Sequence, residues 1–109
     1  MAAERLTEYD RKGRAAERQH VQIVVRVRRP GETWFTSRIT DVSVSGFRLQ
    51  SFMKLTVGAD IWIMLPGFEG RRARVTWNRA HESGCAFERS LHPAILDHIV
   101  RLSQASAAR

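Results

Sequence analysis

The sequence has little cysteine, proline or lysine. Its one cysteine, Cys85, cannot close an intramolecular disulfide, which excludes a disulfide-stapled scaffold. With three prolines and 8% aromatic residues in 109, the chain is not expected to be disordered over most of its length. No apolar run approaches the roughly 20 residues that span a bilayer. The opening Met1-Ala2-Ala3-Glu4-Arg5 lacks the apolar stretch of a signal peptide, so the expected compartment is the cytoplasm. The length suits one domain. Catalytic signatures are missing too: there is no Ser–His–Asp order, no paired-carboxylate site and no glycine-rich phosphate loop leading into a helix. His20, His81, His92 and His98 are scattered without metal-ligand spacing. The expectation is therefore a non-enzyme without metal or cofactor.

What is present is charge of one sign. Eighteen basic residues against eleven acidic ones give +7, and only Lys12 and Lys54 of the basic set are lysines. Arginine offers a planar fork that matches phosphate oxygens and the O6/N7 edge of guanine. An anionic partner is favoured: nucleic acid, an anionic membrane surface or a phosphorylated small molecule. A compositional preference for arginine accounts for part of the excess equally well.

Residues 1–19 are polar and charged, interrupted by Gly13, and read as a loosely held basic arm. From His20 the character changes. Val21, Ile23, Val25 and Val27 alternate with mainly polar residues, the period-two pattern of a half-buried strand. Pro30-Gly31 is a turn signal, and Trp34 to Thr40 reads as a hairpin partner. The polar stretch Asp41 to Gly46 breaks the pattern and reads as an Asx-type turn. Phe47, Leu49 and Phe52 form a third strand and its exit, and Ile61 to Leu65 a fourth, closed by Pro66-Gly67. Arg72 to Asn78 forms a fifth strand, with Ala73, Val75 and Trp77 on one face, and Gly84 to Glu88 a sixth. After Pro93, apolar Ile95, Leu96, Ile99, Val100 and Leu102 recur at helical spacing, giving one amphipathic helix of about three turns. The pattern divides the chain into a basic arm at 1–19, a barrel with its helix at 20–103 and a frayed tail at 104–109. Six short antiparallel strands of this kind suggest a small barrel or sandwich.

Two constellations carry chemistry. Arg14 and Arg18 stand four residues apart at the entrance to the first strand, where they can grip a phosphate pair. Asp41, Ser43 and Gly46 follow between two strands. Asp and Ser offer acceptors and a donor, and glycine permits a positive φ or a close backbone approach. Each pattern alone is common in solvated or plain turn segments. Together, RxxxR followed by DxSxxG resembles the signature of the PilZ domain, a bacterial receptor module for cyclic di-GMP. Phe47-Arg48-Leu49, Gly58, Val75-Thr76-Trp77 and Gly84-Cys85-Ala86-Phe87 extend the similarity over most of the chain.

The resemblance implies a mostly β fold, a six-stranded antiparallel split barrel with a C-terminal α-helix, whose arginine-bearing arm folds over the ligand. It implies that Arg14, Arg18, Asp41, Ser43 and Gly46 bind cyclic di-GMP, with Asp41 accepting from guanine N1–H and N2–H₂. The expected partners are cyclic di-GMP and a downstream protein, with no nucleic acid and no membrane span. One alternative is a small basic barrel for single-stranded nucleic acid, against which the strands show no aromatic-plus-glycine cluster. Another is a PilZ-like adaptor that binds no ligand. Cys85 reads as a buried structural residue. Trp34, Trp62 and Trp77 read as core or barrel-surface residues, and Arg71-Arg72-Ala73-Arg74 as a solvated edge.

Overall fold

The computed structural model describes residues 18–107, with side chains to residue 104. Arg14, with the rest of the arm before Arg18, and residues 108–109 lie outside the described residues. Six strands and one helix follow: β1 Gln19–Arg28, β2 Phe35–Val42, β3 Gly46–Gln50, β4 Asp60–Met64, β5 Gly70–Arg79, β6 Glu82–Phe87 and α1 Pro93–Ala107. All pairings are antiparallel, and the strands close into a barrel in the order β1-β2-β3-β6-β5-β4. Closure leaves no unpaired sheet edge, so the polar backbone is satisfied without a covering layer.

Alternation builds the core. Val21, Ile23, Val25 and Val27 of β1 point inward with Ile39, Leu49, Ile61, Ile63 and Val75, all buried. Each such side chain contributes roughly 1.5–3 kcal/mol through burial. Helix α1 packs on β1, with Ile99 fully buried and Ile95, Leu96 and Val100 packed against the core. Pro93 occupies its first turn, and His92 Nδ1 accepts from the Ala94 N–H at 3.0 Å, capping one of the free donors there.

Two features depart from the period-two reading. The helix runs through Ala107, past the 103 bound expected for it, and Ser103 is buried. Its hydroxyl accepts from the Gln22 N–H of β1 at 2.9 Å. That amide is free because β1 carries a bulge between His20 and Ile23, where three steps on β1 match two on β2. Asp41 is likewise not in a turn. It is the seventh residue of β2, which extends to Val42.

Candidate functional site

The site is set by bulges. In β2, Ile39 pairs with Leu49 and both face the core, but Asp41 pairs with Arg48, so Thr40 is an extra residue on β2. The added residue shifts the parity of the strand, and Asp41 turns to the outer face with Arg48 while Val42 returns to the core beside Phe47. Strand β5 repeats the device. Val75 pairs with Cys85 inside, but Trp77 pairs with Gly84, so Thr76 is extra and Trp77 moves outward. This corrects the expectation that Trp77 shares a face with Ala73 and Val75. Thr76 Oγ1 donates to the Gly84 carbonyl at 3.0 Å and fixes the bulge.

The result is a belt of cross-strand neighbours on the outside of the barrel: His20, Asp41, Arg48, Gly84 and Trp77, on β1, β2, β3, β6 and β5 in turn. At about 4.8 Å per strand it spans on the order of 19 Å. The belt borders a cleft of about 310 Å³ that Arg18, Ser43 and Gly46 also line. Thus four of the five residues singled out in the sequence converge on one cleft, and the fifth, Arg14, lies four positions before Arg18.

Asp41 is the most buried charge there, at 5% exposure. His20 Nδ1 lies 2.7 Å from its Oδ1 and Arg48 Nη1 lies 3.4 Å from its Oδ2. The His20 contact is not aligned as a hydrogen bond, and Oδ1 has no hydrogen-bond partner among the described residues. A buried carboxylate oxygen in that condition is an acceptor waiting for a donor. The Arg48 guanidinium carbon stands 5.8 Å from the centre of the Trp77 ring, and that of Arg79 5.9 Å from it. Arg48 Nε is itself buried without a partner among the described residues.

The loop from Ser43 to Gly46 is a tight turn held from both sides. The Ser43 N–H donates to the Gly46 carbonyl at 2.8 Å, and Ser43 Oγ accepts from the N–H groups of Ser45 and Gly46, each at 3.2 Å. The carbonyls of Val44 and Ser45 accept from the N–H groups of Leu91 and Phe87. Ser43 is therefore first of all the organiser of the turn, its hydroxyl also donating to the Gly46 carbonyl at 3.4 Å and lying 3.1 Å from Ser45 Oγ. Gly46 is not in the left-handed region, in contrast to Gly31, Gly58 and Gly67. Its missing side chain has another cause: a Cβ would overlap the Cys85 carbonyl oxygen across the β3–β6 pair. Gly84 is required in the same way by the Trp77 indole lying on it. Cys85 is buried beneath this pair, and burial pushes its thiol up from 9.0 to about 12, so it stays protonated.

Sequence reasoning missed two cleft residues, Arg48 and Trp77, and His20, which contacts Asp41 beside the cleft. Arg48 and His20 were legible as outward positions of their strands, since Arg48 follows inward Phe47 and His20 precedes inward Val21. Trp77 was hidden by the bulge.

Among the described residues, no group of three potential metal ligands occurs, and no helix is long and apolar enough to cross a membrane. A family model described as the PilZ domain matches residues 12–105, a span that holds both motifs. Among solved structures the chain is similar to a PilZ domain of CeSA from a cellulose-synthesizing bacterium. The identity is 19%, the TM-score 0.56, and the match covers 84% of this chain and 99% of that one. No curated protein matches.

Proposed function

Because the chain belongs to the PilZ family, a family of non-catalytic cyclic di-GMP receptor domains, we propose that it binds cyclic di-GMP in the cleft beside Asp41 and passes the signal to a protein partner. The observation that carries this reading is the convergence of Arg18, Asp41, Arg48 and Trp77 on one outward cleft, with Asp41 Oδ1 buried and short of a donor.

Each residue has a task. Asp41 accepts from guanine N1–H and N2–H₂, a pair of donors that adenine lacks. The guanine then replaces His20 at the carboxylate. Arg14 and Arg18 bring charge-assisted bonds to the two phosphates, and their forks also suit the O6/N7 edge of guanine. Arg48, its guanidinium carbon 5.8 Å from the Trp77 ring centre, and Trp77 offer planar faces on which a purine can lie. Ser43 and the backbone around Gly46 supply the remaining polar contacts. A site that satisfies guanine's donors leaves buried groups unpaired with another base, which is the source of selectivity.

Cyclic di-GMP brings two negative charges to a basic barrel. It thereby draws the arm carrying Arg14 onto the cleft, and the closed arm and newly covered barrel face are what a partner reads. Calorimetry with cyclic di-GMP, cyclic di-AMP and GTP side by side tests the assignment. Saturable binding of the first alone is expected. Equal binding of all three, or of none, refutes it.

A further inference from the structure

The belt uses five of the six strands and leaves out β4. The outer wall centred on β4 carries a second cross-strand row. Arg28 of β1 pairs with Trp62, and Trp62 pairs with Arg72 of β5. No bulge interrupts β4, so this row is held by regular pairing. The Arg72 guanidinium carbon lies 5.1 Å from the centre of the Trp62 ring. Trp34 stands at the same wall, with the guanidinium carbons of Arg28 and Arg26 at 5.4 and 5.9 Å. Its Cη2 lies 3.6 Å from where a Cβ of Gly70 would stand, so the indole covers a glycine backbone. The chain separates Trp34, Trp62 and Gly70 widely, which is why no aromatic-plus-glycine cluster is visible along the strands. Folding assembles one.

Beside Trp62 opens a hollow of about 450 Å³, where Arg71, Arg72 and Arg89 meet Glu69 and Glu88. We propose that this wall is a second binding face, separate from the cleft, and that its ligand is single-stranded nucleic acid.

Three properties select that class. Guanidinium groups beside indoles offer planar faces for bases and N–H donors for phosphate, with Arg72 Nη1 lying 3.6 Å from Glu88 Oε2. Arginines stand at the hollow and beside it, Arg26 and Arg28 on β1, Arg71 on β5 and Arg89 after β6, so a strand can enter and leave along charge. Glu69 and Glu88 are exposed acceptors suited to the amino groups of bases. The same two carboxylates repel an acidic peptide, whose side chains offer charge but no donors and no π-face.

The test uses the whole chain and a fluorescent single-stranded oligonucleotide of about 15 nucleotides of mixed sequence, in RNA and DNA forms. Its duplex, a polyglutamate peptide and free GMP are the comparison probes. Expected are binding of one or both single strands, quenching of tryptophan emission, and an affinity that falls as salt rises. Reversing charge in the double variant Arg28→Glu/Arg72→Glu should weaken oligonucleotide binding at least about tenfold, with the far-ultraviolet circular dichroism of the wild type. If that variant loses its fold, Trp62→Leu takes its place and should weaken binding by the loss of stacking. Cyclic di-GMP titrations of the same variants separate this face from the cleft, since its failure leaves the cleft untouched. Absence of oligonucleotide binding at low salt overturns the proposal. So does equal binding of duplex or polyglutamate, or wild-type affinity in the variants.

Discussion

At the scale of single residues, the buried charge decides most. Asp41 stands buried between His20 and Arg48, so its replacement touches both stability and recognition. Asp41→Asn preserves shape and removes the charge. It should weaken cyclic di-GMP binding by about 1.4 kcal/mol or more, tenfold in affinity, while the barrel still unfolds in one cooperative transition. Calorimetry together with thermal melts separates the two effects, and an intact affinity removes Asp41 from the site. Arg18→Ala should cost about 2 kcal/mol or more of binding through lost charge-assisted bonds, with the melting temperature unchanged because Arg18 is exposed. Cys85 supplies a pH test. In the unfolded chain a thiol ionises near 9.0, whereas in the folded barrel it holds its proton to about 12. The folded state binds the extra proton between these values. The stability of the wild type relative to Cys85→Ala should therefore be constant below pH 9 and decline as pH rises toward 12. A flat difference across that window shows the thiol is not shielded.

At the scale of elements, the strands and the helix are legible because their side chains obey a simple period, and the site is less so because it departs from one. Period two places Asp41 with Ile39 and Trp77 with Val75, and only an extra residue in each strand puts them outside. A bulge leaves little trace in sequence: Thr40 and Thr76 are ordinary strand residues, and the register they shift is a property of two chains rather than one. The glycines were legible as special, but the cause was not. Gly46→Ala sets a methyl group against the backbone of Cys85 and should destabilise the barrel by about 1–3 kcal/mol. Gly84→Ala meets a side chain instead. It should displace Trp77, change tryptophan emission and weaken ligand binding more than stability. Denaturant titrations of the two variants beside binding measurements check the contrast. Equal stability losses with intact binding would mean the Trp77 stack is only structural.

At the scale of the whole molecule, the expected reading is a barrel of constant shape with a basic arm that responds to ligand. Amide hydrogen exchange measures both. Ile61 to Leu65, in the fully paired β4, should be protected in either state, and amides from about Arg11 to Arg18 should slow on adding cyclic di-GMP. An arm equally protected before and after saturation refutes closure even where binding is found. Ser103→Ala belongs to this scale too, because it joins the end of α1 to the start of β1. It leaves the Gln22 N–H without its acceptor and should lower stability by about 1–2 kcal/mol.

That contact is also a latch of modest strength. Gln22 lies two residues beyond His20 and four beyond Arg18, on the strand stretch that a ligand would grip first. Its amide is spare only because β1 has slack there, and α1 holds it with a single neutral hydrogen bond. Such a bond is worth about 1 kcal/mol net, whereas micromolar binding releases about 8 kcal/mol. The hydrogen bond is thus the weaker part of the join between helix and barrel, because Ile99 is fully buried and Ile95, Leu96 and Val100 pack on the core. In mechanical terms the barrel is the frame, and α1 is bolted to it by its apolar face and pinned near its end by Ser103.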